Sequence, residues 1–175
     1  MHFNYRAASI QDLERIWDCD IQAHGGDERW IAGKAACLVY NRNGLCRTFV
    51  VACDDGLIGQ GSLYFSPESR TINGRTELAD GARVAHVSAL KIEKAFEGQG
   101  HISRLMRLME AYACERGYET LTIGVDAKET RNLAVYLHWG YDRYINHMRD
   151  HGALVLYYAK KIQPQKNCLS EQYPE

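Results

Sequence analysis

The stretch that decides the fold is Leu90-Lys91-Ile92-Glu93-Lys94-Ala95-Phe96-Glu97-Gly98-Gln99-Gly100-His101-Ile102. An apolar strand ends, a turn with two glycines follows, and a helix with one apolar face begins at once. That order aims unpaired backbone N–H groups and the positive end of a helix dipole at one point, which suits an anion such as a diphosphate. Gly98 and Gly100 alone are a weak signal. Their place between strand and helix, and a second motif around Tyr136, strengthen it.

Working outward, residues 98–116 read as the best-defined helix. Ile102, Leu105, Met106, Met109, Tyr112 and Ala113 form its apolar face, and Gly117 stops it. Upstream, residues 82–92 read as a strand and residues 67–81 as a polar loop, with Asn73-Gly74 suited to tip a small hairpin. Residues 47–53 and 57–66 read as a strand pair joined at Asp55-Gly56. A first strand is expected over residues 2–7. Ser9 then caps a helix to about residue 20, with Asp12 completing a capping box. Asp27 caps a second helix to about residue 40. Downstream come a strand at 120–125, a helix at 130–139 stopped by Gly140, and a strand pair at 141–146 and 153–161. The order β-α-α-β-β-β-α-β-α-β-β predicts a mixed α/β sheet rather than a doubly wound one. A single domain over residues 1–163 and a polar tail over 164–175 are expected.

Composition narrows the function classes. With 175 residues the chain can bury a real core, and 46% hydrophobic with 25% charged residues is ordinary for a globular protein. A net charge of −1 gives no basic field for nucleic acid or an anionic membrane. No apolar run reaches the roughly 18 residues of a membrane span, and the N-terminus has no signal core. The six cysteines are scattered without metal spacing, which predicts reduced thiols in a cytoplasmic protein and no metal site. No Gly-Lys-Ser/Thr follows the glycines, so a P-loop is excluded, and a dinucleotide fingerprint lacks its third glycine.

The element order and two motifs resemble the GNAT superfamily of N-acetyltransferases. Leu90-Lys91-Ile92 matches its strand end and Glu97-Gly98-Gln99-Gly100-His101-Ile102 its glycine signature. Val135-Tyr136-Leu137-His138-Trp139-Gly140-Tyr141 matches the spacing of its second motif. Arg6 to Leu13 and Val50 to Gly59 are similar to the family's opening and its second and third strands. Glu97 stands where the family carries Arg or Gln, with Arg104 a candidate partner. Ile102 replaces a small residue. Glu129 stands where Asn is common, and Asn132 lies nearer Tyr136.

The resemblance implies a mostly antiparallel sheet whose fourth and fifth strands splay apart, flanked by helices. It implies acetyl-CoA as cosubstrate and a primary amine of a small molecule or peptide as acceptor; a homodimer is compatible with it. Leu90, Lys91, Ile92, Glu97, Gly98, Gln99, Gly100, His101, Ile102, Ser103, Asn132 and Tyr136 would bind the cofactor. Tyr136 would be the general acid; a core tyrosine is the plainer reading. His86 is the candidate base, with Ser88 placed to hold a water, although a histidine on an apolar strand is often only a core residue. His24, Asp27 and Glu28 border the family's acceptor site, where acids would attract an amine; helix capping is the plainer reading. The acceptor pocket would draw on residues 22–40, 66–82 and 144–153. Rival readings are transfer of a longer acyl group, a CoA-binding sensor without transfer, and a cysteine hydrolase built on Cys114 with His101 or His138.

Overall fold

The computed structural model describes residues 1–150 and 152–163. Its strands are β1 (Asn4–Ala7), β2 (Cys46–Cys53), β3 (Gly56–Tyr64), β4 (Val84–Ile92), β5 (Thr120–Asp126), β6 (Arg143–Asp150) and β7 (Ala153–Lys161). Its α-helices are α1 (Ile10–Ala23), α2 (Glu28–Arg42), α3 (His101–Glu115) and α4 (Thr130–His138). All seven strands join one sheet in the order β1-β2-β3-β4-β5-β7-β6. Only the β4–β5 pair is parallel; the others are antiparallel. The expected mixed sheet and element order are both present.

The two faces are covered by different helices. On one face Leu105, Met106, Met109 and Ala113 of α3 pack on Phe49, Val51, Leu63, Ala85, Val87, Leu121 and Ile123. On the other, Leu13 of α1 and Cys37 of α2 pack on Val50. Helix α1 starts where the sequence predicts. The Ser9 side chain accepts from Asp12 N–H, and the Asp12 carboxylate accepts from Ser9 N–H. That carboxylate also pairs with Arg6, which holds it well below the usual range, at about 2.

The decisive local feature is in β4. Its pairing with β5 runs from Val84↔Thr120 to Val87↔Ile123 and stops. β4 continues to Ile92 and β5 to Asp126 without each other, so the strands splay as expected. Just past the last pair, Ala89 has φ 55, and the β3–β4 register skips between Ser62↔Ser88 and Gln60↔Lys91. This is a β-bulge. It reverses the alternation, so Leu90 and Ile92 join Ala85 and Val87 on the α3 face. Gly61 makes room: a Cβ there would lie 2.8 Å from Leu90 Cδ2 and 2.9 Å from Met109 Sδ.

Four details depart from the sequence-based expectation. Helix α3 starts at His101, not residue 98, because Gly98 (φ 74) and Gly100 (φ 80) are left-handed and cannot lie inside a right-handed helix. A 3-10 turn, Lys94–Phe96, precedes them. β6 begins at Arg143 and extends to Asp150, its polar end held by pairing with β7. The 67–81 connection is not a plain polar loop. Ile72, Leu78 and Ala79 are fully buried with Tyr157 in a small core of their own, and Asn73-Gly74 makes a tight turn rather than a hairpin tip. The polar tail expected over residues 164–175 lies outside the described residues.

Candidate functional site

Two hollows meet at the splay. The larger, a cleft of about 690 Å³, lies between the end of β4, the glycine turn and α4. The smaller, a chamber of about 210 Å³, lies against His86, Arg75 and Tyr157. Leu90 and Tyr136 line both. The two hollows therefore share a wall where the β4–β5 pairing ends, and Tyr136 stands in that wall.

The cleft gathers residues that are distant in sequence. Leu90, Lys91, Ile92, Glu97, Gly98, Gly100, His101, Ile102, Ser103, Asn132 and Tyr136 all line it. Gln99 does not, because its side-chain amide turns back to donate to Ala95 O at 3.1 Å. The backbone N–H groups of residues 98 to 103 have no protein acceptor among the described residues. A Cβ on Gly98 or Gly100 would meet nothing within 4 Å, so backbone geometry and not crowding requires glycine there. An open, left-handed turn delivering free N–H groups to a helix N-terminus fits a diphosphate.

The departures at the turn have individual outcomes. Glu97 is exposed on the cleft wall and has no cation within ion-pair distance among the described residues. Arg104, its expected partner, instead approaches the Tyr5 hydroxyl at 3.5 Å. Ile102 lines the cleft and is partly buried against the α3 core, and its N–H stays free. His101 is buried; its Nδ1 lies 2.7 Å from the Tyr5 hydroxyl and its ring against Phe3, which fastens α3 to β1. Glu129, which stands where the family's Asn is common, lines the cleft, and so do Phe96, Arg131, Val135 and Trp139, which carry no binding role in the sequence reading. Helix α4 and its two flanking residues bring four of these five to the wall.

Tyr136 is half-buried, and burial together with Glu129 raises its phenol above the ordinary value. Its hydroxyl bonds to no protein group among the described residues. Cys114 is also held protonated, by burial and Glu110, and lines neither hollow. It is not an activated nucleophile.

His86 is buried on the opposite face of β4 from the α3 core. Its Nδ1 is 2.8 Å from Thr122 Oγ1, and that hydroxyl donates to Leu78 O at 2.8 Å. A hydroxyl has one hydrogen, so it must accept from His86 Nδ1–H, leaving the lone pair on Nε2. Burial and the nearby Arg75 charge push the imidazole down to about 3, so it is neutral at physiological pH. Ser88 lines the same chamber. The chamber also takes Thr71 and Arg75 from the 67–81 connection and Asp150 from β6. Residues 22–40 do not reach it. Asp27 caps α2 and pairs with Arg29, and the His24 ring stacks on Trp30 at 3.8 Å. No cluster of three or more metal-ligating side chains occurs among the described residues, and no helix there is long and apolar enough to cross a membrane.

A splayed β4–β5 pair, a glycine turn of free N–H groups and a tyrosine at the crossing agree with the comparison with known families. Residues 10–141 match the acetyltransferase (GNAT) family. The chain belongs to that family. The chain also resembles solved acetyltransferase structures. An acetyltransferase-like protein from Acinetobacter baylyi superposes with TM-score 0.69 at 15% identity, over 92% of this chain and 93% of that one. An N-acetyltransferase from Staphylococcus aureus gives 0.66 at 15%, over 92% and 99%. RimL, a ribosomal-protein α-N-acetyltransferase in complex with coenzyme A, gives 0.66 at 17%, over 93% and 95%. At these identities the likeness shows the fold. No curated protein matches the sequence.

Proposed function

We propose that this GNAT protein transfers an acetyl group from acetyl-CoA directly to a primary amine of a small molecule or peptide, within a ternary complex. The observation that carries the reading is the set of free N–H groups at residues 98 to 103 facing a cleft that runs to Tyr136. Coenzyme A bound to RimL supports the choice of ligand.

In this reading the N–H groups of residues 98 to 103 hold the diphosphate. The unpaired edge of β4 from Leu90 to Ile92 hydrogen-bonds the amides of the pantetheine arm, with Lys91 and Asn132 at the cleft wall. Acetyl-CoA supplies an activated acyl group on a thiol leaving group. A β4 backbone N–H at the bulge stabilises charge on the acyl oxygen. Tyr136, with its proton retained and its hydroxyl free of protein partners, donates to the departing thiolate. The amine enters through the smaller chamber. His86 presents Nε2 as an acceptor there, and Ser88 holds a water between them. A group pushed down to about 3 relays a proton to solvent rather than storing it.

One observation favours a second reading. The unpaired Glu97 carboxylate beside the phosphate cradle weakens anion binding and suits a CoA-binding sensor that does not transfer. Calorimetric titration with acetyl-CoA, followed by thiol release over an amine panel, separates the two. Binding with release supports transfer, and binding without release on any amine supports the sensor. Absence of binding overturns both.

A further inference from the structure

We propose that Arg75 and Tyr157 form an anion receptor in the smaller chamber, so that the acceptor is a small primary amine that also bears a carboxylate. This rests on the transferase reading above, whose acceptor is otherwise open.

The argument starts from donors without acceptors. Arg75 donates from Nε to Ile72 O at 2.8 Å, from Nη2 to Thr71 O at 2.6 Å and from Nη1 to the Tyr157 hydroxyl at 2.9 Å. A second Nη1 bond reaches only the Met148 thioether, a weak acceptor. A guanidinium has five N–H groups, so one on Nη2 has no protein acceptor among the described residues. Because the Tyr157 hydroxyl accepts from Arg75, its own hydrogen is also unspent. No carboxylate lies within ion-pair distance of Arg75 among the described residues. The guanidinium packs over the Tyr157 ring at 5.2 Å, and both line the chamber that Tyr136 and His86 share.

The carbonyls of Thr71 and Ile72 therefore fix the fork in place, and its unspent Nη2 hydrogen and that of the Tyr157 hydroxyl belong to residues of the chamber wall. Such donors recognise a carboxylate well and repel a second cation. The chamber, at about 210 Å³, is smaller than the roughly 300–1,000 Å³ of ordinary ligand clefts. Amine and carboxylate must then lie close together, as in an amino acid.

The test compares L-amino acids with their α-carboxamides and with spermidine, by thiol release at saturating acetyl-CoA. Wild type should favour acids over amides by about 10- to 100-fold in kcat/KM, the scale of charge-assisted hydrogen bonds. Arg75→Gln should abolish the preference while the KM for acetyl-CoA stays within about twofold, and Arg75→Lys, which keeps the charge, should retain part of it. A wild-type enzyme that uses acid and amide equally, or prefers spermidine, overturns the proposal and leaves the transferase reading standing. If acetyl-CoA binds but no amine releases thiol, the transferase reading fails by itself. Calorimetry of the CoA complex then decides on Arg75. Tighter binding of the acid, lost in Arg75→Gln, supports the receptor; equal or absent binding overturns it.

Discussion

Gly100→Ala tests the phosphate cradle and can be worked through from the structure. Gly100 has φ 80 and ψ 8, a left-handed conformation that costs an L-residue about 1–2 kcal/mol. A Cβ there meets no protein atom within 4 Å, so strain is the whole cost to folding. For a domain of this size that corresponds to a fall in Tm of about 2–8 °C. The control is Gly117→Ala at the far end of α3, with φ 85 and equally open surroundings. It should lose the same stability. Only Gly100 lines the cleft. If the proposed placement of the diphosphate holds, its added methyl stands between the diphosphate and the free N–H groups and should forfeit about 1.5–3 kcal/mol of charge-assisted hydrogen bonding. That predicts acetyl-CoA affinity lowered about 10- to 150-fold in Gly100→Ala and unchanged in Gly117→Ala, read by calorimetry beside thermal melts. Wild-type affinity in Gly100→Ala, or equal weakening in both variants, would refute the placement of the diphosphate.

Tyr136→Phe should lower kcat by about a hundredfold or more with acetyl-CoA affinity unchanged, since it deletes a proton donor and keeps the ring; an undiminished kcat removes the acid role. Cys114→Ser should leave turnover within about twofold of wild type, because a thiol pushed up by burial does no chemistry; abolished turnover would restore the hydrolase reading. Asp12 titrates at about 2 in the fold, below its unfolded value near 4, so its stabilisation is complete above about pH 4 and is lost as pH falls toward 2. The urea midpoint of wild type should therefore exceed that of Asp12→Asn by a constant margin at pH 5 to 7, and the margin should close between pH 4 and pH 2. A margin undiminished at pH 2 would contradict the assignment. Ser9→Ala, which removes the α1 cap, should cost about 1 kcal/mol at neutral pH; an unchanged urea midpoint would show that the cap is dispensable.

The sequence disclosed those parts of the site that are local. The turn at Gly98 and Gly100 and the helix at Tyr136 are each written within a few residues, because glycine, apolar spacing and helix stops act at short range. The capping box at Ser9 and Asp12 was legible for the same reason. The start of α3 differs from the sequence reading by a single turn, since glycine adopts positive φ, which ends a right-handed helix, about as readily as negative φ. On the side of the smaller chamber the sequence named His86, Ser88 and the segments 66–82 and 144–153 that reach it, but not the contacts that join them. Arg75 meets Tyr157, and His86 meets Thr122, across long stretches of chain. Ile72, Leu78 and Ala79 sit among polar residues whose pattern reads as loop, and only the arrival of Tyr157 on β7 buries them. The low basicity of His86 is likewise a product of burial and of Arg75, neither of which the strand sequence contains.

The bulge at Ala89 explains why the site forms where it does. A left-handed alanine inside a strand costs about 1–2 kcal/mol and must be held by something stronger. Leu90 and Ile92 supply it. Without the bulge, alternation from Val87 would turn both away from α3; with it, both pack against the core. Full burial of such a side chain is worth about 1.5–3 kcal/mol, so even partial burial of the pair offsets the strain. Gly61 and Gly59 are the conditions for that packing, because a Cβ on either would collide with Leu90 or Ile92. Once β4 is bent this way, its pairing with β5 cannot continue past Val87. The same irregularity therefore frees the β4 edge on the cleft side, opens the chamber beside His86 on the other, and leaves Tyr136 between them. Core packing in β3, β4 and α3 thus sets the geometry of the two hollows, and the glycine turn closes one end of the cleft.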